Sequence, residues 1–217
     1  MHKEMQFKKE EGYYQNQGDD LIKLIPKGVR RVLDVGCGRG LIGKRLKESG
    51  KIEVVGIEVN PDAAEEAKKN LDRVYCVDIE AVKPVLDKRY FDCIIFGDVL
   101  EHLVNPWQAV KDMKAFLAPD GYAIISLPNI GHWPVIRGLL TGNWDYKGEG
   151  TLDVTHLRFF TLKSARKMLE DAGFIVERSV YRLACNKLFK KINKLLRGKI
   201  THLLAWQYLI VAKNPDK

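Results

Sequence analysis

The stretch RVLDVGCGRG, Arg31 to Gly40, constrains the fold more than any other part of this chain. Val32, Leu33 and Val35 are branched and apolar, as a central strand of a parallel sheet covered on both faces requires. Asp34 interrupts them. Gly36, Gly38 and Gly40 then let the backbone take positive φ and approach a ligand without Cβ atoms in the way, before Leu41 to Glu48 begins a helix. The first N–H groups of such a helix point at whatever docks in the turn. Spacing removes two familiar ligands. A dinucleotide fingerprint wants a small third residue where Leu41 stands, and a phosphate-binding loop wants Gly-Lys-Ser/Thr. A ligand-free strand-to-helix turn of an α/β domain is the alternative reading.

At 217 residues, with 46% hydrophobic and 29% charged residues, the chain suits one soluble α/β domain, 1–217, without internal repeats. The start, MHKEMQFKKEEG, has no apolar signal region, and no apolar run reaches the eighteen or so residues a membrane span needs, so the expected location is cytoplasmic. Cys37, Cys76, Cys93 and Cys185 form no C-x-x-C pair and read as buried, reduced thiols; no metal site is expected. The net charge of +8 is concentrated from Arg158 to Lys217, where fourteen Lys/Arg face four Asp/Glu. A solvated basic face, acidic substrates or an anionic membrane would each suit that balance.

Taken in order, the chain predicts a polar cap, 1–28, with Tyr13 and Tyr14 ahead of a helix over 18–25. A second strand, Ile52 to Ile57, ends at Glu58, and Asn60-Pro61-Asp62 caps a helix over 63–71. Glu58 stands about one β-α-β unit beyond the glycines, where an acid can accept from both ribose hydroxyls of an adenosine; a helix-terminal charge is the other reading. Further strands are predicted at Arg73 to Val77, Tyr90 to Phe96, Tyr122 to Leu127, Phe174 to Leu183 and Leu203 to Ala212. The turn Ala118-Pro119-Asp120-Gly121 precedes the fifth. Helices are predicted between Trp107 and Leu117 and from Thr161 to Ala172. Residues 128–160 carry aromatics without a sustained period and read as a substrate lid. A basic helical insertion, 185–199, places Leu188, Phe189, Ile192, Leu195 and Leu196 on one face. That face is expected to pack on the domain, with a weak membrane-surface contact through 187–199 as the alternative.

Asp34-x-Gly36-x-Gly38-x-Gly40 resembles the first motif of class I S-adenosylmethionine-dependent methyltransferases of the type 11/12 kind. GDVLEHLVNP, residues 97–106, is similar to the ubiquinone-type and related small-molecule members. LPNIGHWPVIRGLLTGNWDY and DVTHLRFFT resemble methionine-biosynthesis W type and bacterial polysaccharide-associated methyltransferases. The resemblance covers nearly the whole chain. It implies a Rossmann-like, mostly parallel seven-stranded sheet of order 3-2-1-4-5-7-6, last strand antiparallel, with helices on both faces. The implied cofactor is S-adenosylmethionine, held by Asp34, Gly36, Cys37, Gly38, Gly40, Glu58, Val59, Asp78, Ile79, Gly97 and Tyr14. Asp78 is placed to reach the adenine amino group and Ile79 to supply an apolar face to the ring. An Asn/Asp-Pro-Pro-aromatic turn, usual in amino-methylating enzymes, is missing after the fourth strand. So is the Pro-Cys nucleophile of cytosine C5-methylating ones.

Methyl transfer from a sulfonium is an in-line displacement in which positioning supplies much of the acceleration, and a base is needed only if the acceptor must lose a proton. His102, His156 and Asp98 are the candidates for catalytic roles. His132, Trp133, Trp144, Tyr146 and Arg158 are the candidates for substrate contact. The reaction expected is methylation of a small-molecule or polysaccharide-precursor acceptor, sugar- or lipid-linked acceptors included, by a monomer or homodimer without nucleic acid. An RNA methyltransferase and a non-catalytic cofactor-binding regulator are the alternatives.

Overall fold

The computed structural model describes residues 18–81, 85–184 and 187–215. Its centre is a seven-stranded sheet of order β3-β2-β1-β4-β5-β7-β6. The strands are β1 (Arg31–Val35), β2 (Glu53–Glu58), β3 (Arg73–Cys76), β4 (Phe91–Gly97), β5 (Leu117–Pro128), β6 (Ile175–Leu183) and β7 (Ala205–Lys213). β1 to β5 pair in parallel, and β7 runs antiparallel to both β5 and β6. This is the order and direction of pairing that the motif resemblance implies.

Helices α1 (Leu41–Ser49), α2 (Pro61–Ala67), α3 (Pro106–Lys114), α4 (Trp133–Leu140), α5 (Leu162–Asp171), α6 (Lys187–Leu195) and α7 (Thr201–Leu204) follow or join the strands. A helical stretch over 18–22 precedes β1. Side chains of one strand alternate between two apolar clusters. Leu33, Val35, Val55 and Ile57 enter one, whereas Val32, Val54, Cys93 and Ile95 enter the other. Burial on both faces explains why the central strands read as predominantly apolar runs. Local signals set several helix starts: Asn60 Oδ1 accepts from Ala63 N ahead of α2, Asn105 Oδ1 from Gln108 N ahead of α3, and Thr161 and Ser164 form a capping box at α5.

Several expectations are corrected. Leu117 belongs to β5, where it pairs with Phe91, and the segment expected as a turn is a bulge: Tyr122 pairs with Cys93, so the chain gains three residues on its neighbour. Asp120 sits there at φ 58°, its N–H donating to Asn214 O. The 128–160 segment contains the eight-residue helix α4 instead of an unbroken loop. Its two ends are tied together, Ile130 N donating to Phe160 O. Cys37 and Cys93 are buried, whereas Cys76 ends the edge strand β3 and is exposed. Cys185 and Tyr14 lie outside the described residues.

The apolar face of α6 is left exposed rather than buried. Leu188 is 62% exposed and Leu195 83%, and Phe189, Ile192 and Leu196 are exposed as well. Among the described residues no helix is long and apolar enough to cross a membrane.

Candidate functional site

A cavity of about 1460 Å³ opens at the C-terminal ends of β1, β2 and β4, where an open parallel sheet places its ligands. The glycine turn forms one wall. Gly36, Gly38 and Gly40 all take positive φ, at 68°, 53° and 75°. Their reasons differ. A Cβ on Gly36 would stand 2.2 Å from Val99 Cγ2, so the turn and the segment after β4 touch through a missing side chain. Gly40 packs less tightly, a Cβ there standing 3.0 Å from Leu71 Cγ and 3.2 Å from Ala67 Cα of the next unit. Gly38 faces open space and lines the cavity, so its lack of a side chain leaves room for a ligand.

The turn is pinned to β2 by Gly36 N and Cys37 N, which donate to Ile57 O at 2.8 and 3.0 Å. Glu58 completes the anchor: Oε2 accepts from Gly38 N at 2.8 Å and Oε1 from Asn60 N at 2.9 Å. These two bonds fix a carboxylate at the cavity wall with acceptor capacity remaining on both oxygens. Gly56 leaves space for Cys37, whose Sγ would lie 2.6 Å from an added Cβ. Burial, then the charges of Asp34 and Glu58, push the Cys37 thiol up.

Asp34 lies under the turn, 1% exposed, and does not reach the cavity wall. Its Oδ2 has no hydrogen-bond partner. Burial first, and the Glu58 charge second, raise its carboxyl from 3.8 to about 7. At the end of β3, Asp78 and Ile79 line the cavity, with Asp78 Oδ1 accepting from Glu80 N at 2.8 Å. Val59 lines it from the exterior, and Gly97 lies at the end of β4.

Asp98 follows β4 at φ 54°. Its Oδ1 accepts from Ser126 Oγ of β5 at 2.8 Å and from Gln207 Nε2 of β7 at 2.6 Å. Burial raises its carboxyl above the ordinary range, against the lowering effect of these two bonds. His102 sits in a single 3₁₀ turn, Leu100–His102, with Nδ1 3.1 Å from Thr155 O; His156 Nδ1 is 3.1 Å from Thr151 O. The two rings meet edge to face, 4.8 Å apart at their centres. The Asp153 carboxylate, 1% exposed, accepts through Oδ1 from Thr155 N and Oγ1 and so shapes the loop that presents His156.

The candidate substrate residues gather elsewhere. His132, Trp133, Trp144, Tyr146 and Arg158 are not among the residues lining the cavity. His132 starts α4, and its imidazole is lowered by burial. Trp144 packs edge-on against Phe159 and Tyr146, Trp133 is exposed, and Arg158 stands over the Trp107 ring and donates through Nε to Val104 O at 2.9 Å. From the 128–160 segment the cavity receives Pro128, Glu149, Gly150, Asp153 and His156. Glu101, which the resemblance places with Asp98 to His102 beside the reacting centre, and two residues the sequence did not mark, Gln207 and Glu80, carry much of the construction. Glu101 is 1% exposed in the cavity wall, Gln207 reaches Asp98 from the last strand, and Glu80 ties Val104 N and Asn105 N to the end of β3. An acid directly before a histidine in LEHL was the one visible hint.

The family described as Methyltransferase domain matches residues 9–179. A ubiquinone biosynthesis O-methyltransferase of Coxiella burnetii is 28% identical over 187 residues, covering 72% of this chain and 76% of that protein. A ribosomal protein L11 methyltransferase of Thermosipho africanus is 31% identical over 142 residues, covering 58% and 53%. Among solved structures, an S-adenosylmethionine-dependent methyltransferase from Archaeoglobus fulgidus superposes with a TM-score of 0.70 at 23% identity over 93% of both chains. The cyclase SpnF gives a TM-score of 0.64 at 18% identity over 93% of this chain and 82% of its own.

Proposed function

The chain belongs to the methyltransferase-domain family, whose enzymes use S-adenosylmethionine, and on that premise we propose that it methylates a hydroxyl of a small-molecule acceptor. The observation that carries the cofactor part of this reading is the Glu58 carboxylate, held to the glycine turn and to Asn60 by two backbone N–H groups. An acid so fixed at the end of β2 accepts from a ribose diol. The other wall residues suit the rest of the cofactor: Ile79 and Asp78 for the adenine face and amino group, the open face of Gly38 for the amino-acid portion, and Gly97 with Asp98 beside the cationic end. Bound there, the cofactor supplies an activated methyl group. A volume of about 1460 Å³ exceeds the ~300–1,000 Å³ of an ordinary ligand site, which leaves room for an acceptor beside it.

The chain's own contribution to rate is positioning, worth up to ~7–11 kcal/mol for well-aligned reactants. Asp98, fixed by Ser126 and Gln207, holds the wall beside the reacting centre. His102 and His156 have Nδ1 against carbonyl oxygens, which only accept, so each neutral ring carries its proton at Nδ1 and its lone pair at Nε2. That tautomer can take a proton from an acceptor hydroxyl. The choice of a small-molecule hydroxyl rests on the ubiquinone biosynthesis relative. The segment 128–160 is proposed as the acceptor cover within a single domain, with Trp133 and Tyr146 offering exposed aromatic surface; most of the expected cap over 1–28 lies outside the described residues.

Titration calorimetry with S-adenosylmethionine tests the cofactor site. Loss of the Glu58 charge-assisted bonds costs about 1.5–3 kcal/mol, so Glu58→Ala should weaken binding roughly 10- to 100-fold. Undiminished binding by that variant would remove the ribose assignment. Transfer of labelled methyl into a panel of catechols, quinone precursors and nucleotide sugars tests the acceptor, and incorporation into protein alone would overturn it.

A further inference from the structure

We propose that Glu101, His102 and His156 form a site for a divalent cation of the zinc, cobalt or manganese class, set in the cavity wall beyond β4. One carboxylate oxygen and one nitrogen from each ring lie within 4.8 Å of one another, and all three residues line the cavity. Two imidazoles and a carboxylate form a donor set suited to borderline transition metals, whereas magnesium and calcium favour oxygen alone.

Three features prepare these side chains for the task. Both histidines have Nδ1 against a backbone carbonyl, at Thr155 and Thr151, the outer contact that fixes the tautomer and aims Nε2 in metal sites. Glu101 is 1% exposed, and the low dielectric around it strengthens its hold on a cation. The two parts of the site are also locked together: Leu157 N and Arg158 N donate to Glu101 O at 2.8 and 3.0 Å, so the loop bearing His156 is fastened to the turn bearing His102. A tetrahedral site with bonds of ~2.0–2.1 Å has edges of ~3.3 Å. Loading therefore draws the donor atoms inward from their present spread, which rotation of two rings on this fastened loop can supply. Three protein donors leave a fourth position open to the cavity.

The site's use rests on the methyl-transfer reading. With the cation bound, His102 and His156 serve as its ligands in place of a base, and an acceptor hydroxyl at the open position loses its proton to water more readily. Its oxygen forms the new C–O bond as the C–S bond breaks, and the bonding pair leaves with sulfur, turning sulfonium to thioether. One proton is released, and the cation changes neither charge nor oxidation state.

The test uses the full-length protein, stripped by chelator and titrated with Co²⁺ and Zn²⁺ with no cofactor or acceptor present. The expected result is one equivalent bound, with cobalt visible bands of low coordination number, and affinity reduced more than ~100-fold in Glu101→Gln and in His156→Gln. Circular dichroism and S-adenosylmethionine binding check that the variants fold. Absence of stoichiometric binding by the wild type, or undiminished binding by folded variants, overturns the site. Because the readout needs neither methyl transfer nor the cofactor, cobalt binding by a protein that failed to bind S-adenosylmethionine would uphold the metal site and refute the methyltransferase reading alone.

Discussion

Replacing Asp34 by Asn should change how stability depends on pH. The native carboxyl is 1% exposed and raised to about 7, by burial first and the Glu58 charge second, whereas an unfolded chain ionises the same group near 3.8. Between those values the native state holds a proton that the unfolded state has released, so stability falls as pH rises and the loss is complete above about pH 7. At ~1.36 kcal/mol per pKa unit, the step from about pH 5 to about pH 8 removes roughly 2–3 kcal/mol. Asn has the same shape and no proton to lose. Urea unfolding of both proteins should therefore show the stability difference, variant minus wild type, growing by roughly 2–3 kcal/mol in favour of the variant across that interval. Adding Glu58→Gln to the wild-type background should leave the onset of the decline in place and bring its end to lower pH, since the second cause of the raised native value is gone. A difference that stays flat within about 0.5 kcal/mol, or that grows in the opposite direction, would refute the account of a carboxyl kept protonated by its surroundings.

Two further outcomes follow from geometry. Gly36→Ala should unfold at much lower urea than Gly38→Ala: both accept a positive-φ penalty of about 1–2 kcal/mol, and Gly36 adds a Cβ 2.2 Å from Val99. Equal midpoints would deny that the turn packs on the segment after β4. For α6, co-sedimentation with vesicles containing anionic lipid should show salt-sensitive binding that Leu188→Glu with Leu195→Glu abolishes; equal binding to neutral vesicles would argue against a surface role for this basic, apolar face.

The central sheet was legible because its signal is local. A strand buried on both faces declares itself by composition, and the glycines after Val35 announce the turn wherever the rest of the chain goes. Asn60-Pro61 and Thr161 marked helix starts for the same reason. Boundaries failed where tertiary pairing outweighed local preference: Leu117 continues the apolar period of α3 yet pairs with Phe91 in the sheet. Helix α4 is short, contains Gly138 and buries only Val135 and part of its surroundings, so it leaves no clear period. The wall beyond β4 was the least readable part. Asp98 meets Gln207 and His102 meets Thr155 across separations of 109 and 53 residues, and no spacing rule connects such pairs. The apolar residues of α6 had the right period for a buried helix, but period reports only that a face exists, not what covers it.

The position of β7 sets a schedule for how this protein comes into being. Residues 31–97 can lay down the glycine turn and the Glu58 anchor while the rest of the chain is still on the ribosome. Until residues 205–213 arrive, β5 has one open edge and β6 lacks the strand it pairs with, two exposed ladders of the kind that invite the wrong neighbour. Asp98 meanwhile lacks Gln207. Residues 205–213 thus complete both the sheet and the hydrogen bonding of Asp98 in the wall after β4.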